Sequence, residues 1–244
     1  MNTETRRTLG IAVVGCGRMG LQHAKSAAQL GHRVAIACDV DLSRATALAA
    51  AHPGCIALAD PASIPWAAVD AAFICTPPFA RGPVELFAAR AGVHLFLEKP
   101  IGLSATQSAP VLSAARAARV ITSVGYMNRY RASVRRARAL LSAESPLGFA
   151  SHWFGAAYRV PWWGDPALSG GQLNEQCTHL VDLARYLMGE IVEATALAQP
   201  PAQPGRGPGS VAIALRFESG ALGTVTCGCL ALEKQIGCRV FTAR

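Results

Sequence analysis

The sequence lacks several features, and each absence removes a class of function. It has eight cysteines, at positions 16, 38, 55, 75, 177, 227, 229 and 238, but no Cys-x-x-Cys pair. Cys227-x-Cys229 would place both thiols on one face of a strand with no histidine close in sequence, so zinc is not expected. Several of the other cysteines fall in predicted buried strands, where cysteine behaves as a small apolar residue. The expectation is free thiols, no metal, and a reducing, cytoplasmic compartment. No run is long and apolar enough to span a bilayer, so no membrane partner is expected. Arg6-Arg7 invites a twin-arginine reading, but the apolar stretch behind it is short and flows into a glycine loop, so it reads as a first strand. The net charge is +8, yet no aromatic-rich RNA-binding motif or basic recognition helix accompanies it. The densest basic cluster is Arg129, Arg131, Arg135, Arg136 and Arg138. On a helix these spread around the circumference, with Val134, Ala137, Leu140 and Leu141 supplying apolar contact, which fits a solvated face and no nucleic-acid partner. There is also no internal repeat.

What is present is a strand–glycine loop–helix signal. Ile11-Ala12-Val13-Val14 reads as a short buried strand, and Leu21 to Leu30 forms helix without Gly or Pro. Between them stands Gly15-Cys16-Gly17-Arg18-Met19-Gly20. A tight glycine turn there lets backbone approach a diphosphate, with the first N–H groups of the helix aimed at the anion. Asp39 ends the next apolar run, Val34 to Cys38, where an acid can accept from a ribose diol. Gly15, Gly17, Arg18, Met19, Gly20 and Asp39 are therefore candidate dinucleotide-binding residues. A glycine turn without a ligand is the plain alternative. Asp39 favours NAD, because a carboxylate repels a 2′-phosphate; Ser43 and Arg44 follow closely and leave NADP possible.

With 51% hydrophobic residues, the chain can bury a sizeable core. Its first half alternates strands, at 10–14, 34–38, 55–58, 71–75, 93–97 and 120–124, with helices at 20–30, 42–51, 82–91 and 104–118. Asp41 and Ser104 are expected to cap two of those helices, and Gly31 and Gly92 to end two. This rhythm predicts a doubly wound parallel sheet of the Rossmann kind over 1–124. Beyond it the pattern changes to a basic helix at 129–141, an aromatic stretch at 149–163, a helix near 172–188 and a Pro/Gly-rich loop from Pro200 to Ser210. Val211 to Phe217, a Ser219-Gly220 turn and Ala221 to Leu230 read as a hairpin. Residues 125–244 are thus expected to form an α+β domain with a mostly antiparallel sheet.

Two groups could carry chemistry. Glu98-Lys99-Pro100 ends the fifth strand, so Lys99 would face the cofactor crevice and could polarise a hydroxyl or carbonyl; an ordinary surface lysine is the alternative. Glu175, His179 and Asp182 share one face of a predicted helix, with Leu173, Leu180, Leu183 and Leu187 on the other. A histidine beside carboxylates can move protons near neutral pH. A metal pair from Glu175 and His179 lacks an evident third ligand, and a polar helix surface is the plain reading. His23, His32, His52, His94 and His152 lack such company and read as structural or exposed.

The glycine loop, Ile74-Cys75-Thr76-Pro77-Pro78, Glu98-Lys99-Pro100, Gly125-Tyr126-Met127-Asn128-Arg129 and Gly170-Gly171 followed by His179-x-x-Asp182 occur in one order. That series resembles the Gfo/Idh/MocA oxidoreductases along nearly the whole chain. The resemblance implies NAD(P)-dependent hydride transfer between nicotinamide and a sugar, cyclitol or related substrate. It implies Lys99, His179 and Glu175 as catalytic residues, with Asp182 in support, and adds Thr76, Pro77, Glu98 and Lys99 to the cofactor set. Substrate contacts are expected from Lys99, Tyr126, Asn128, Trp162, Glu175 and His179. Arg81 stands where many members have histidine, and Glu175 where many have aspartate. The family is usually about a hundred residues longer, so a truncated chain with an incomplete second sheet is expected, as is a homo-oligomer through that sheet if complete. A nucleotide- or sugar-sensing regulator without turnover, and a redox-neutral glycosidase or lyase using transient oxidation, remain open.

Overall fold

The computed structural model describes residues 7–201 and 205–243. Arg6 of the arginine pair, residues 202–204 of the predicted loop and the final Arg244 lie outside them. The chain divides into two compact units, Met1–Gly125 and Tyr126–Arg244.

The first unit is built on a six-stranded sheet: β1 (Gly10–Val14), β2 (Arg33–Cys38), β3 (Ile56–Leu58), β4 (Ala71–Ile74), β5 (His94–Leu97) and β6 (Thr122–Val124). Four helices intervene: α1 (Arg18–Gln29), α2 (Leu42–Ala50), α3 (Pro83–Arg90) and α4 (Ala105–Ala117). The order is β3-β2-β1-β4-β5-β6, and every pairing is parallel. β1 is buried along its whole length, as a central strand covered on both faces must be. One core pairs β1 and β4 residues Val14, Ala72 and Ile74 with α3 and α4 residues Val84, Ala88, Val111 and Ala115. The other sets Ile11 and Val13 against Ala24, Ala27 and Leu48 of α1 and α2. The caps follow the sequence: Asp41 accepts from the Ser43 N–H and Ser104 from the Gln107 N–H. Gly31 and Gly92 take φ of +82° and +78° past their helices, where a side chain would be strained. The strand order reverses between β1 and β4, and ligands of such sheets bind at the carboxyl ends beside that reversal.

The second unit contains α5 (Ala132–Leu141), β7 (Pro146–Ala156), α6 (Pro166–Ser169), α7 (Thr178–Met188), β8 (Ile191–Ala198), β9 (Ser210–Phe217), β10 (Leu222–Gly228) and β11 (Leu230–Thr242). Its sheet runs β11-β7-β10-β9-β8. β7 and β10 are parallel, while the other three pairings are antiparallel, including the expected β9–β10 hairpin. Val211, Ile213, Leu215 and Phe217 of β9 alternate inward, with Phe149, Trp153, Val225 and Cys227, onto Leu180, Leu183, Ala184 and Leu187 of α7. Burying each Val, Leu, Ile or Phe of this set contributes about 1.5–3 kcal/mol relative to exposure.

The structure departs from the sequence reading in four places. The first half of the aromatic stretch is strand β7, with Phe149 and Trp153 buried on one face and Phe154 half-buried on the other. β8 was not expected: seven of its eight residues are exposed, so no inward alternation marks it. With β7 and β8 included, the last strand of the chain is the fifth of its sheet. The expected helix at 172–188 opens with a π-helical turn over Leu173–Cys177 before α7 begins. The wider turn leaves Leu173 43% exposed, so it does not join the buried leucine face. Cys177 and Cys227, expected as free thiols, form a disulfide. Folding brings the π turn and β10 together with their Cα atoms 6.1 Å apart, a contact that a separation of 50 residues hides. Among the described residues, no helix is long and apolar enough to cross a membrane.

Candidate active site

In the first unit the glycine loop is shaped by close approach. Gly15 has φ +91°, and a Cβ there would lie 2.7–2.8 Å from the Cys75 and Thr76 backbone. A Cβ on Gly20 would run into the Gly15 carbonyl. Gly17 differs, because a Cβ there would meet no described atom within 4 Å. Gly17 also caps α1 without a side-chain hydrogen bond, and no acid stands in the first turn. Two glycines therefore fold the loop, and the third leaves space where the N–H groups of the first helical turn converge, a cradle for a diphosphate. Arg18 and Met19 begin α1 directly beside it. The Asp39 carboxylate accepts the Cys16 N–H at 2.7 Å and the Asp41 N–H at 3.0 Å. A carboxylate has about four acceptor positions, so Asp39 pins the loop and keeps capacity for a ribose diol. Arg44 pairs with Asp41 at 3.3 Å. The Thr76 hydroxyl is buried and finds no hydrogen-bond partner among the described residues. A buried orphan at the end of β4, next to an open glycine cradle, fits a bound nucleotide.

Lys99 and Pro77 are half-buried at the same carboxyl edge, and the Lys99–Pro100 peptide is cis. Glu98 is buried; one carboxylate oxygen lies 2.7 Å from Nε2 of His23, and the other accepts the Lys99 N–H at 3.1 Å. Glu98 thus anchors the loop from inside. Arg81 is also buried: its Nε donates to the Thr76 carbonyl at 2.9 Å, and its guanidinium stands 3.8 Å from Glu85. The guanidinium that replaces the expected histidine therefore braces the Thr76-Pro77 loop. Burial, with Glu98 nearby, pushes the Cys75 thiol up to about 12, so it stays protonated.

In the second unit, Glu175, His179 and Asp182 are all buried, with none more than 6% exposed. Glu175 comes from the π turn, and His179 and Asp182 from α7. The Trp153 ring stacks on the His179 imidazole, 5.5 Å between centroids and 11° between planes. Tyr126 meets the same imidazole edge-on at 6.1 Å, and its hydroxyl is hydrogen-bonded to that of Thr178 at 3.0 Å. Asp182 accepts from Nε of Arg129 at 2.8 and 3.0 Å and also from its Nη2. That bonding raises the Arg129 pKa further above neutrality. Asn128 is buried, and its side-chain oxygen accepts from Arg131 at 2.9 Å. Trp162 is half-buried in the turn over 161–164. The unit therefore holds a buried imidazole fixed by two aromatic rings, close in the chain to two buried acids.

Residues 9–126 match the oxidoreductase family with an NAD-binding Rossmann fold, GFO_IDH_MocA, and residues 146–244 match the GFO/IDH/MocA C-terminal domain. The chain belongs to the Gfo/Idh/MocA oxidoreductase family. Its first unit is the family's NAD-binding Rossmann domain. An inositol 2-dehydrogenase of Mycolicibacterium gilvum is 32% identical over 202 residues, covering 81% of this chain and 57% of that protein. Inositol 2-dehydrogenase 2 of Saccharopolyspora erythraea is 34% identical over 197 residues, covering 78% and 57%. The chain thus spans little more than half the length of these relatives. Among solved structures, the WlbA dehydrogenase of Bordetella pertussis, in complex with NADH and UDP-GlcNAcA, superposes with a TM-score of 0.88 at 23% identity. That match covers 98% of this chain and 72% of the other, and it shows the shared fold.

Within this Gfo/Idh/MocA chain, sequence reasoning did not foresee three contacts: His23 with Glu98, Trp153 with His179 and Arg129 with Asp182. His23 and Trp153 find their partners in residues remote in sequence. Arg129 was read as one arginine of a solvated helix, although it precedes α5 in a 3-10 turn. The clue available for it was its place in the Gly125-Tyr126-Met127-Asn128-Arg129 motif.

Proposed function

We propose that this chain transfers hydride between NAD and a C–OH group of a sugar or cyclitol. The observation that carries the reading is the first unit's carboxyl edge. There the open glycine cradle, Asp39 and the orphaned Thr76 hydroxyl accompany a half-buried lysine held by a buried glutamate. The names of the relatives, inositol 2-dehydrogenases, support the substrate class. Nicotinamide, when bound, supplies the hydride acceptor or donor. Asp39 binds the ribose hydroxyls, and the α1 N-terminus with Gly15, Gly17, Arg18, Met19 and Gly20 holds the diphosphate. The Lys99 ammonium orients the substrate hydroxyl and favours the developing alkoxide. His179 takes the hydroxyl proton as the carbon is oxidised and returns it in the reverse direction. Glu175 orients or charge-stabilises His179. Tyr126, Asn128 and Trp162 line the substrate, and Asp182 supports the turn through Arg129. The reading places the protein in the cytoplasm and includes a homo-oligomer formed through the second sheet, where Leu230, Leu232 and Phe241 are exposed.

The test is a panel of sugars and cyclitols with NAD, followed at the NADH absorbance. Net NADH formation supports the proposal. Product without net reduction would instead mark transient oxidation, and binding alone a sensor. With an active substrate, Lys99→Ala and His179→Ala should each lower kcat about 100-fold or more while NADH affinity stays within a few-fold. Wild-type turnover in either variant would remove that residue from the mechanism.

A further inference from the structure

His23 lies on α1, the helix whose N-terminus forms the phosphate cradle, three residues beyond Gly20. Its Nε2 is 2.7 Å from one oxygen of Glu98, with side-chain exposures of 19% and 10% for the pair. The imidazole packs against two aromatic rings that also touch each other, Phe73 of β4 at 5.8 Å and Phe96 of β5 at 4.8 Å. The second oxygen of Glu98 accepts the N–H of Lys99. Gly125 closes the remaining side: its N–H donates to the Leu97 carbonyl at 2.9 Å, and a Cβ on it would lie 3.2–3.4 Å from the Glu98 carboxylate. The carboxylate therefore has little room to move, and His23 is the side chain that fixes it from α1.

We propose that His23 is a positioning residue for Lys99, acting through Glu98 to tie the phosphate-binding helix to the lysine-bearing end of β5. This inference rests on the reading of Lys99 as the group that orients substrate. Without His23 the buried carboxylate loses its outer partner and turns to find another. The Lys99 backbone then loses the acceptor that holds it. Because His23 acts through Lys99, its loss should appear in kcat more than in cofactor affinity.

The test uses the full chain and two readouts. The sequence contains three lysines, Lys25, Lys99 and Lys234. Reductive methylation with ¹³C-formaldehyde thus gives three dimethyl-lysine NMR signals besides the amino terminus, with that of Lys99 assigned by Lys99→Arg. His23→Ala should shift the Lys99 signal, leave that of Lys234 in place, keep the NADH Kd within about twofold and lower kcat about tenfold or more. His23→Gln, which keeps an N–H donor toward Glu98, should recover most of the activity and the signal position. Combining His23→Ala with Glu98→Gln should cost little more than the worse single change, as expected of residues acting as one unit. Gly125→Ala, which crowds the carboxylate with His23 intact, should move the same signal and covers the case in which His23→Ala fails to fold. An unmoved Lys99 signal in the folded variants, or a His23→Gln variant no better than His23→Ala, overturns the proposal. Wild-type turnover in Lys99→Ala would overturn the role given to Lys99, while the NMR comparison would still decide whether His23 holds it.

Discussion

Asp39 does two jobs at the residue scale. Both of its oxygens hold backbone N–H groups of the loops flanking the cradle, and the proposed function gives the same carboxylate the ribose hydroxyls. A 2′-phosphate placed there would meet a fixed negative charge, and the guanidinium of Arg44, five residues on, is already paired with Asp41. NADH should therefore bind more tightly than NADPH. Asp39→Ala should raise the NADH Kd about tenfold, the equivalent of one charged hydrogen bond, and narrow or reverse the preference. Fluorescence titration with both nucleotides measures this, and a wild-type preference for NADPH would refute it. Cys16, inside the same loop, is not a second handle: burial and Asp39 push its thiol up to about 12, so it stays protonated and weakly nucleophilic. Asp39 was legible in the sequence because strand, turn and helix place it by local spacing alone. His23 was not, because its partner is 75 residues away.

At the scale of elements, the candidate histidine depends on a strand rather than on its own helix. α7 positions His179 along the chain, but the flat surface against its imidazole is Trp153 of β7. A stacked aromatic pair contributes about 0.5–1.5 kcal/mol beyond area burial and limits rotation of both rings. Trp153→Leu should lower kcat up to about tenfold with the NADH Kd unchanged, whereas Trp153→Phe should retain most of the activity. A Leu variant with full kcat would show that the stack is packing alone. The helix itself was legible from its leucine spacing, but the π turn before it was not. Apolar periodicity registers a face and says little about one widened turn. Edge strand β8 was equally silent, because a strand whose residues nearly all face solvent carries no alternation to read.

Across the whole molecule the two units differ in how openly the sequence declares them. The parallel sheet arises from successive βαβ units, so each strand, cap and glycine can be read in turn, although the pairing of β1 with β4 across the switch point has no local signal. In the second sheet β7 lies between β10 and β11, strands that come more than sixty residues later, and such pairing leaves no local trace. Each unit also has hydrophobic cores of its own. A ligand that binds only the native first unit must stabilise that unit by mass action. At a hundredfold excess over its Kd, NAD should add about 2.7 kcal/mol to the unfolding free energy of the first unit. For a domain of this size that corresponds to a rise in midpoint of roughly 10 °C. Amide exchange along a thermal ramp resolves the units: NAD should delay the opening of β1, β4 and α1 by more than that of β9 and β10. The Asp39→Ala variant should show the smaller shift that its weaker affinity dictates. If saturating NAD left the opening of β1 and α1 unchanged, the glycine cradle would not be a nucleotide site, and the roles assigned to Lys99 and His179 in hydride transfer would fall with it.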